Sequence, residues 1–445
     1  MECISKELEL DNFKELKIRE ELHSALWREE FDEPVINDIY DILTYKQNLI
    51  NYSSFLSQTN HTELRKNQKL LAASHQSLYS WIYGNRFKSF GDLISSSNGK
   101  GIVMSTGDFH FKYARSTIDT LRNVLNCTLP IELFYIGEDD LNQENRNILN
   151  QYSDIYLTDI STLFNNEILN LSGWAVKPFS ILGSRFEEII FMDADVVFVR
   201  DPAELFDEPG YIETGTLFYK DRTLFSNDKS LEWLKKWMTD PLPETKELRY
   251  WEGKTYHEME SGVVVIHKIK TILGLLNTCK LNEYAYREKI VYSYVHGDKE
   301  TFWIGFDMAR QHYYINEEMC SLFGDFLEIS ETKRYLCGHI AHTNNGSLMF
   351  WNGHLIKDKH SNELRNTIID FKGYFTEIGQ MKWDWDYGNC LVLEDDYEVI
   401  PINEEEQKVM NDIVDREIKY HFIIPKEKLL IYNEFLRNKT NISNN

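Results

Sequence analysis

The sequence is poor in positive charge: 48 Lys and Arg stand against 71 Asp and Glu, a formal net charge of −23. Nucleic acid is thereby excluded as the main partner, because binding a phosphate backbone draws on Lys and Arg. A local basic patch for one small phosphorylated ligand is still compatible with this balance. Long apolar runs are missing too, and no stretch approaches the roughly 18 residues that a membrane span requires. The opening Met1-Glu2-Cys3-Ile4-Ser5-Lys6-Glu7 lacks the apolar centre of a signal peptide. As written, the chain reads as soluble and without an address, so membrane association would need an anchor that it does not show. Cysteines number only 6, and none forms a Cys-x-x-Cys pair, which argues against a thiolate zinc site. They read as small buried hydrophobes. There is no repeat and no low-complexity tract. With 42% hydrophobic and 13% aromatic residues, a disordered or fibrous chain is excluded as well.

What is present has a clear order. Residues 1–95 read as a charged helical, stem-like region, with apolar residues at three- and four-residue spacing and no Gly or Pro in the first thirty positions. The Ser-Ser-Ser-Asn-Gly-Lys-Gly run at 95–101 marks a boundary. Ile102–Thr106 and Ile131–Gly137 then read as strands around an amphipathic stretch from Tyr113 to Leu125, and further strands are expected at Ile189–Met192 and Gly262–Ile266. Strand, helix, strand at this spacing predicts an α/β domain with a mostly parallel sheet over 96–360. Residues 361–445 are expected to pack on that domain as an extension ending in a polar tail.

The most informative segment is Ile189-Ile190-Phe191-Met192-Asp193-Ala194-Asp195-Val196-Val197-Phe198. A continuous apolar run suits a strand buried on both faces, and two carboxylates there are costly unless a cation or donors compensate. In extended chain Asp193 and Asp195 would point to one side. Two hard oxygens on one side suit Mg²⁺ or Mn²⁺, which keep positions open for substrate phosphates. Asp384-Trp385-Asp386 has no apolar strand leading into it and reads as surface.

Gly173-Trp174-Ala175-Val176-Lys177-Pro178-Phe179-Ser180-Ile181-Leu182, then Met192-Asp193-Ala194-Asp195 and Asp201-Pro202, resemble the fungal MNN1-type α-mannosyltransferase family. Gly101–Gly107, Leu129–Glu132, Glu260–Val265, Gly297–Trp303 and Trp351-Asn352-Gly353 follow in the family's order. The resemblance spans roughly residues 85 to 360. It implies a GT-A fold, a Rossmann-like nucleotide-sugar domain that uses GDP-mannose and Mn²⁺ with retention at the anomeric carbon. It further implies a mannose-terminated glycan acceptor and a place in the Golgi lumen, although the family's type II anchor is not seen here.

On that reading Asp193 and Asp195 hold the metal, and Lys177 is a second clamp on the donor diphosphate or, alternatively, a solvated helix-start lysine. Thr106, Gly107 and Asp108 are expected to meet the nucleoside, since ligands bind at the carboxyl ends of strands in open α/β sheets. One of Glu258, Glu260, Asp298 and Glu300 is expected to support the oxocarbenium-like centre or orient the acceptor hydroxyl. A third metal ligand is sought in Cys337–Gly346, where His339 and His342 would face opposite sides of a strand; His342, at the expected strand end, is chosen. Trp251, Trp303 and Trp351 are the expected acceptor-stacking rings. Two rival readings are a retaining transferase of a UDP-sugar and an inactive sugar-binding protein of the same fold. Seven Asn-x-Ser/Thr acceptors, at Asn51, Asn60, Asn126, Asn170, Asn345, Asn438 and Asn441, hint at a secretory lumen.

Overall fold

The apolar runs singled out above become strands buried on both faces. In the computed structural model, which describes residues 2–33, 39–58, 62–330, 333–357, 368–384, 390–394 and 397–424, the first strands are β1 (Lys100–Ser105), β2 (Ile131–Tyr135), β3 (Ile155–Asp159), β4 (Glu188–Met192), β5 (Val196–Phe198), β6 (Thr216–Lys220) and β7 (Met259–His267). They are followed by β8 (Ser321–Ser330), β9 (Lys333–Asn344), β10 (Ser347–Asn352), β11 (Gly373–Thr376), β12 (Trp383–Asp384), β13 (Cys390–Leu393) and β14 (Ile400–Pro401).

Two sheets result. The first runs β3-β2-β1-β4-β7-β6. It is parallel from β3 to β4, and β7 is antiparallel to both β4 and β6. This is the Rossmann-like α/β sheet of the expected GT-A fold. The predicted helix after β1 forms over Phe111–Asn123. The second sheet is antiparallel throughout, in the order β12-β13-β9-β8-β11-β14, with β10 between β9 and β5.

The chain divides into two compact units, otherwise than the sequence suggests. One comprises Met1–Gly107, Leu129–Met192 and Ala203–Glu317; the other comprises Asp108–Thr128, Asp193–Pro202 and Glu318–Asn445. The expected boundary near residue 95 is not found. Phe13 of the first helix lies against Trp233 and Trp237, with ring centroids at 5.1 and 4.8 Å. Trp27 and Trp81 are fully enclosed in the same core as Val103, Phe191 and Val264 of the sheet. Burying each such side chain contributes about 1.5–3 kcal/mol, so the helices of 1–95 are structural parts of the first unit rather than an appended stem. The end of the expected catalytic domain shifts for a similar reason, because β8 and β9 pair with β11 and β13, which follow 368. The polar tail from 425 onward lies outside the described residues. No described helix is long and apolar enough to cross a membrane.

Cys337 and Cys390 form a disulfide between β9 and β13, whereas Cys127, Cys279 and Cys320 are buried thiols. The pair departs from the expectation of buried thiols, because 53 residues of sequence hid two directly paired strand positions.

A buried histidine pair in the first unit makes stability depend on pH. His23 Nε2 meets His75 Nδ1 at 3.0 Å. Burial pulls His23 down to about 3 and holds His75 well below the ordinary 6.5. Both rings are therefore neutral in the folded state, and their contribution is present above pH 6.5 and lost as pH falls from 6.5 toward 3. Glu20, pushed up to about 7 by burial, and Glu300, pushed up to about 8, work in the opposite direction, while His257 and His354, drawn down to about 4 and about 3 by burial, add to the histidine side. Each histidine contributes a slope approaching about 1.4 kcal/mol per pH unit in that window. The melting temperature is expected to drop between pH 7 and 5, and the double variant His23→Leu/His75→Leu should flatten that limb. An unchanged limb would show that other groups set it.

Candidate active site

β4 stops at Met192, and Asp193-Ala194-Asp195 is a turn, not extended chain. Val196 N donates to Asp193 O at 3.1 Å and closes it. The Thr117 hydroxyl donates to the Ala194 and Val196 carbonyls at 2.9 and 3.0 Å, and the Gly353 and His354 amides donate to Asp195 O at 3.1 and 2.9 Å. The turn is thus fixed from two sides, with Asp193 half-buried and Asp195 buried. The backbone between the two aspartates is therefore a turn, not the extended chain that the two-residue period assumed.

The histidine choice is corrected by register. His342 pairs across the ladder with Phe350, and Phe350 with Phe198 of β5. That places His342 two strands over and three residues along from Asp195, roughly 10 Å in each direction. Its ring lies against Phe350, with centroids 4.9 Å apart. The histidine beside Asp195 is instead His354, fully buried, with a left-handed φ of 60°. Neither of its ring nitrogens has a hydrogen-bond partner. Burial draws it down to about 3, against the pull of Asp195 in the other direction. His339 is the next group along, its ring close enough to Gly353 that a Cβ there would meet Nδ1 at 2.4 Å. The signal for His354 was in the sequence, one residue past Trp351-Asn352-Gly353.

Among the described residues no three His, Cys, Asp or Glu side chains converge closely enough to hold a metal ion. Two carboxylates and an orphaned neutral imidazole nevertheless fit the donor chemistry of a divalent cation whose remaining positions go to phosphate oxygens and water.

In the first unit, three of the motif segments meet. Lys177, near the start of the Val176–Gly183 helix, is buried and donates to the Ser261 carbonyl and hydroxyl at 3.1 and 3.2 Å. The Asp298 carboxylate lies 3.8 Å from its ammonium. The solvated-lysine alternative is thus set aside. Glu258 and Glu300 have different surroundings. Glu258 accepts from Arg249 Nε at 3.1 Å and from Tyr250 N at 2.8 Å. Glu300 accepts from Glu258 N at 3.0 Å and from Trp303 Nε1 at 2.5 Å. Both oxygens of each are engaged, so these two acids hold loops. Glu260, at 3% exposure, accepts from Gly262 N at 2.8 Å.

Sequence reasoning missed Asp221, which is fully buried and 2.5 Å from Lys299 Nζ. Against burial, which would raise it, Lys299 and Arg222 hold its carboxyl well below the usual range. Asp221 anchors the Gly297–Glu300 turn through that lysine.

At the end of β1, Thr106 N donates to Phe134 O at 2.9 Å, and the Thr106 side chain is buried. Gly107 is required by close approach, since a Cβ would meet Asp140 Oδ1 at 2.2 Å. Asp108 is exposed. The tryptophan expectation fails for Trp303 and Trp351, which are wholly enclosed with their N–H groups spent on Glu300 and the His354 carbonyl; Trp251 is half-buried beneath Lys235. Enclosed rings cannot stack on a sugar. Asp384 is half-buried at the end of β12, while 385 and 386 lie outside the described residues.

A family model described as "Mannosyltransferase putative" matches residues 99–344. "Putative alpha-1,3-mannosyltransferase MNN12" of Candida albicans is 28% identical over 357 residues, 64% of this chain and 42% of that one. "Alpha-1,3-mannosyltransferase MNT3" of Saccharomyces cerevisiae is 29% identical over 274 residues, 52% of this chain and 43% of that one. The chain thus spans about two fifths of the length of these relatives. Similar solved structures include mouse xyloside xylosyltransferase 1, at 13% identity, TM-score 0.32, and 49% and 85% coverage of the two chains. Another is the mannosyltransferase Ktr4p of S. cerevisiae in complex with GDP, at 10% identity, TM-score 0.30, and 61% and 82% coverage.

Proposed function

The chain belongs to the mannosyltransferase family whose model covers residues 99–344, and from that premise we propose that it is a retaining, metal-dependent glycosyltransferase moving mannose from GDP-mannose to a mannose-terminated glycan. The proposed linkage is α-1,3, as in the relatives' names, with α-1,2 as the alternative. The observation that carries the reading is the buried Lys177–Asp298 pair beside Ser261, a cation and a carboxylate kept together where the family's motif segments meet.

Asp193 and Asp195 would hold a divalent cation, Mn²⁺ by preference, with His354 rather than His342 as the proposed third ligand. Such a cation, when bound, supplies Lewis-acid charge to the donor diphosphate as GDP departs. Lys177 adds a fixed positive charge in a water-poor setting, where it is worth more than in solvent. Asp298 is the proposed group facing the anomeric carbon or the acceptor hydroxyl, with Glu260 as the second candidate. Glu258 and Glu300 shape the loops that carry them. Thr106, Gly107 and Asp108 are the proposed nucleoside contacts.

A Golgi or other secretory lumen is the proposed location. The Cys337–Cys390 disulfide supports an oxidising compartment. So do the glycan acceptors Asn51, Asn126, Asn170 and Asn345, each of which is exposed. Mass spectrometry of the native protein should find glycans on several of them; bare asparagines with reduced Cys337 and Cys390 would place it in the cytosol.

The donor is tested by thermal shift. A ligand bound only by the folded state at about 100 times its Kd stabilises it by about 2.7 kcal/mol. GDP-mannose with Mn²⁺ should therefore raise the melting temperature clearly, and UDP-glucose or UDP-galactose less. A larger shift with a UDP-sugar would favour the rival donor.

A further inference from the structure

Five rings of the first unit form one continuous track. Trp174 lies 5.1 Å from His296, His296 lies 5.4 Å from His257, His257 lies 4.6 Å from Tyr256, and Tyr256 stacks on Phe225 at 6.2 Å, all between centroids. Its two ends are open: Trp174 is 51% exposed and Phe225 is 62% exposed. His296 is exposed as well, and Tyr256 and His257 are half-buried.

The track is held in place by backbone. Tyr256 N donates to Phe225 O at 2.9 Å. Gly297, at a φ of 64°, leaves the room that Trp174 occupies, since a Cβ there would come within 2.7 Å of the indole. Polar groups flank the rings. Asp221 and Lys299 pair beneath the two histidines, and His257 Nδ1 is a buried ring nitrogen without a hydrogen-bond partner.

Flat faces alternating with polar edges match a chain of pyranoses, each of which offers an apolar C–H face and a rim of hydroxyls. A protein-docking patch would be a contiguous apolar area, and here histidines and charges interrupt it. The track also has a direction. Trp174 stands three residues before Lys177, whose partner Asp298 directly follows Gly297. The Trp174 end therefore adjoins the proposed reacting groups, and Phe225 is the other end of the track.

We infer that this track is an extended acceptor subsite, in which Trp174 carries the sugar nearest to transfer and Tyr256 and Phe225 carry sugars further back along an α-mannose oligosaccharide. The identity of the sugar and the direction of the track rest on the mannosyl-transfer reading; the track itself rests on the ring geometry.

The test measures binding of methyl α-mannoside, mannobiose and mannotetraose to the whole protein, by titration calorimetry or saturation-transfer NMR, with GDP binding followed separately. Affinity should rise with chain length. Trp174→Ala should weaken all three probes, and Phe225→Ala should weaken mannotetraose several-fold to about tenfold while sparing methyl α-mannoside, the scale of one lost ring contact. Both rings are exposed, so melting temperatures should hardly move. Chain-length-dependent binding without any transfer from GDP-mannose would support the track and sink the catalytic reading. Mannotetraose bound no better than methyl α-mannoside, or unaffected by either variant, would overturn the track and leave the catalytic reading standing. Loss of GDP binding instead would assign these rings to the nucleotide base and overturn the proposal too.

Discussion

Asp193→Ala and Asp195→Ala are each expected to reduce transfer by about 10³-fold, the cost of losing several kcal/mol of charge stabilisation. Both side chains sit on a turn whose backbone bonds come from Thr117, Gly353 and His354. Those bonds use carbonyl oxygens, so truncating the carboxylates leaves the turn closed and the fold intact. The companion experiment separates the histidines. His354→Asn keeps a residue type that tolerates the left-handed backbone found there. It should weaken Mn²⁺ by at least about 10–100-fold, the range seen for groups one shell further out. His342→Asn should leave Mn²⁺ affinity nearly unchanged, because His342 lies two strands from β5 with its ring packed against Phe350 of the strand between. Manganese titration followed by thermal shift reads both. The reverse order of the two histidines would sink the assignment of His354, and full wild-type activity in excess chelator would sink metal dependence altogether.

The contrast between those histidines shows how far a sequence can be read. β1, β2, β4 and β7 were legible because strands covered on both faces are written as unbroken apolar runs. The Asp-x-Asp stood out because two charges interrupt such a run. The second sheet left almost no signature. Its strands are mixed in character, and their neighbours are set by pairing across long stretches of chain, as the Cys337–Cys390 bridge makes plain. From sequence, His342 stands out because a strand end can present its side chain to a cleft. Its real position depends on β10, which pairs with β9 through an irregular register between Leu348 and Phe350. The tryptophans misled for a related reason. An indole with an N–H is at home wherever one acceptor can be found, and Glu300 and the His354 carbonyl supply acceptors in the interior. Trp174, which does reach solvent, seats against Gly297, a fit that no local pattern encodes.

Glu300→Ala is expected to be among the most destabilising single changes in the first unit. The carboxyl is fully enclosed and accepts from two buried donors, Glu258 N and Trp303 Nε1. Each donor left without a partner costs about 1–3 kcal/mol, and the emptied volume adds to this, for a total of about 3–5 kcal/mol. Glu300→Gln keeps one acceptor oxygen and loses one bond rather than two, so its cost should be nearer half. The pH dependence gives an independent check. Burial, reinforced by Glu258, pushes Glu300 from 4.5 up to about 8, against the two hydrogen bonds that favour the charged form. A raised carboxyl contributes stability that is present below pH 4.5 and is lost as pH rises to about 8. Wild-type protein should therefore lose melting temperature between pH 6 and 9, and Glu300→Gln should lose less over the same range. Transfer decides between a loop-holding acid and a chemical one. If Glu300 only positions Glu258 and the Gly297–Trp303 segment, the Gln variant keeps transfer within about tenfold of wild type at a temperature where it is folded, a difference of no more than about 1.4 kcal/mol in the barrier. A folded Glu300→Gln protein that has lost 10²-fold or more, the contribution of a general acid or base, would move Glu300 from the scaffold into the reaction and displace Asp298 as the leading candidate.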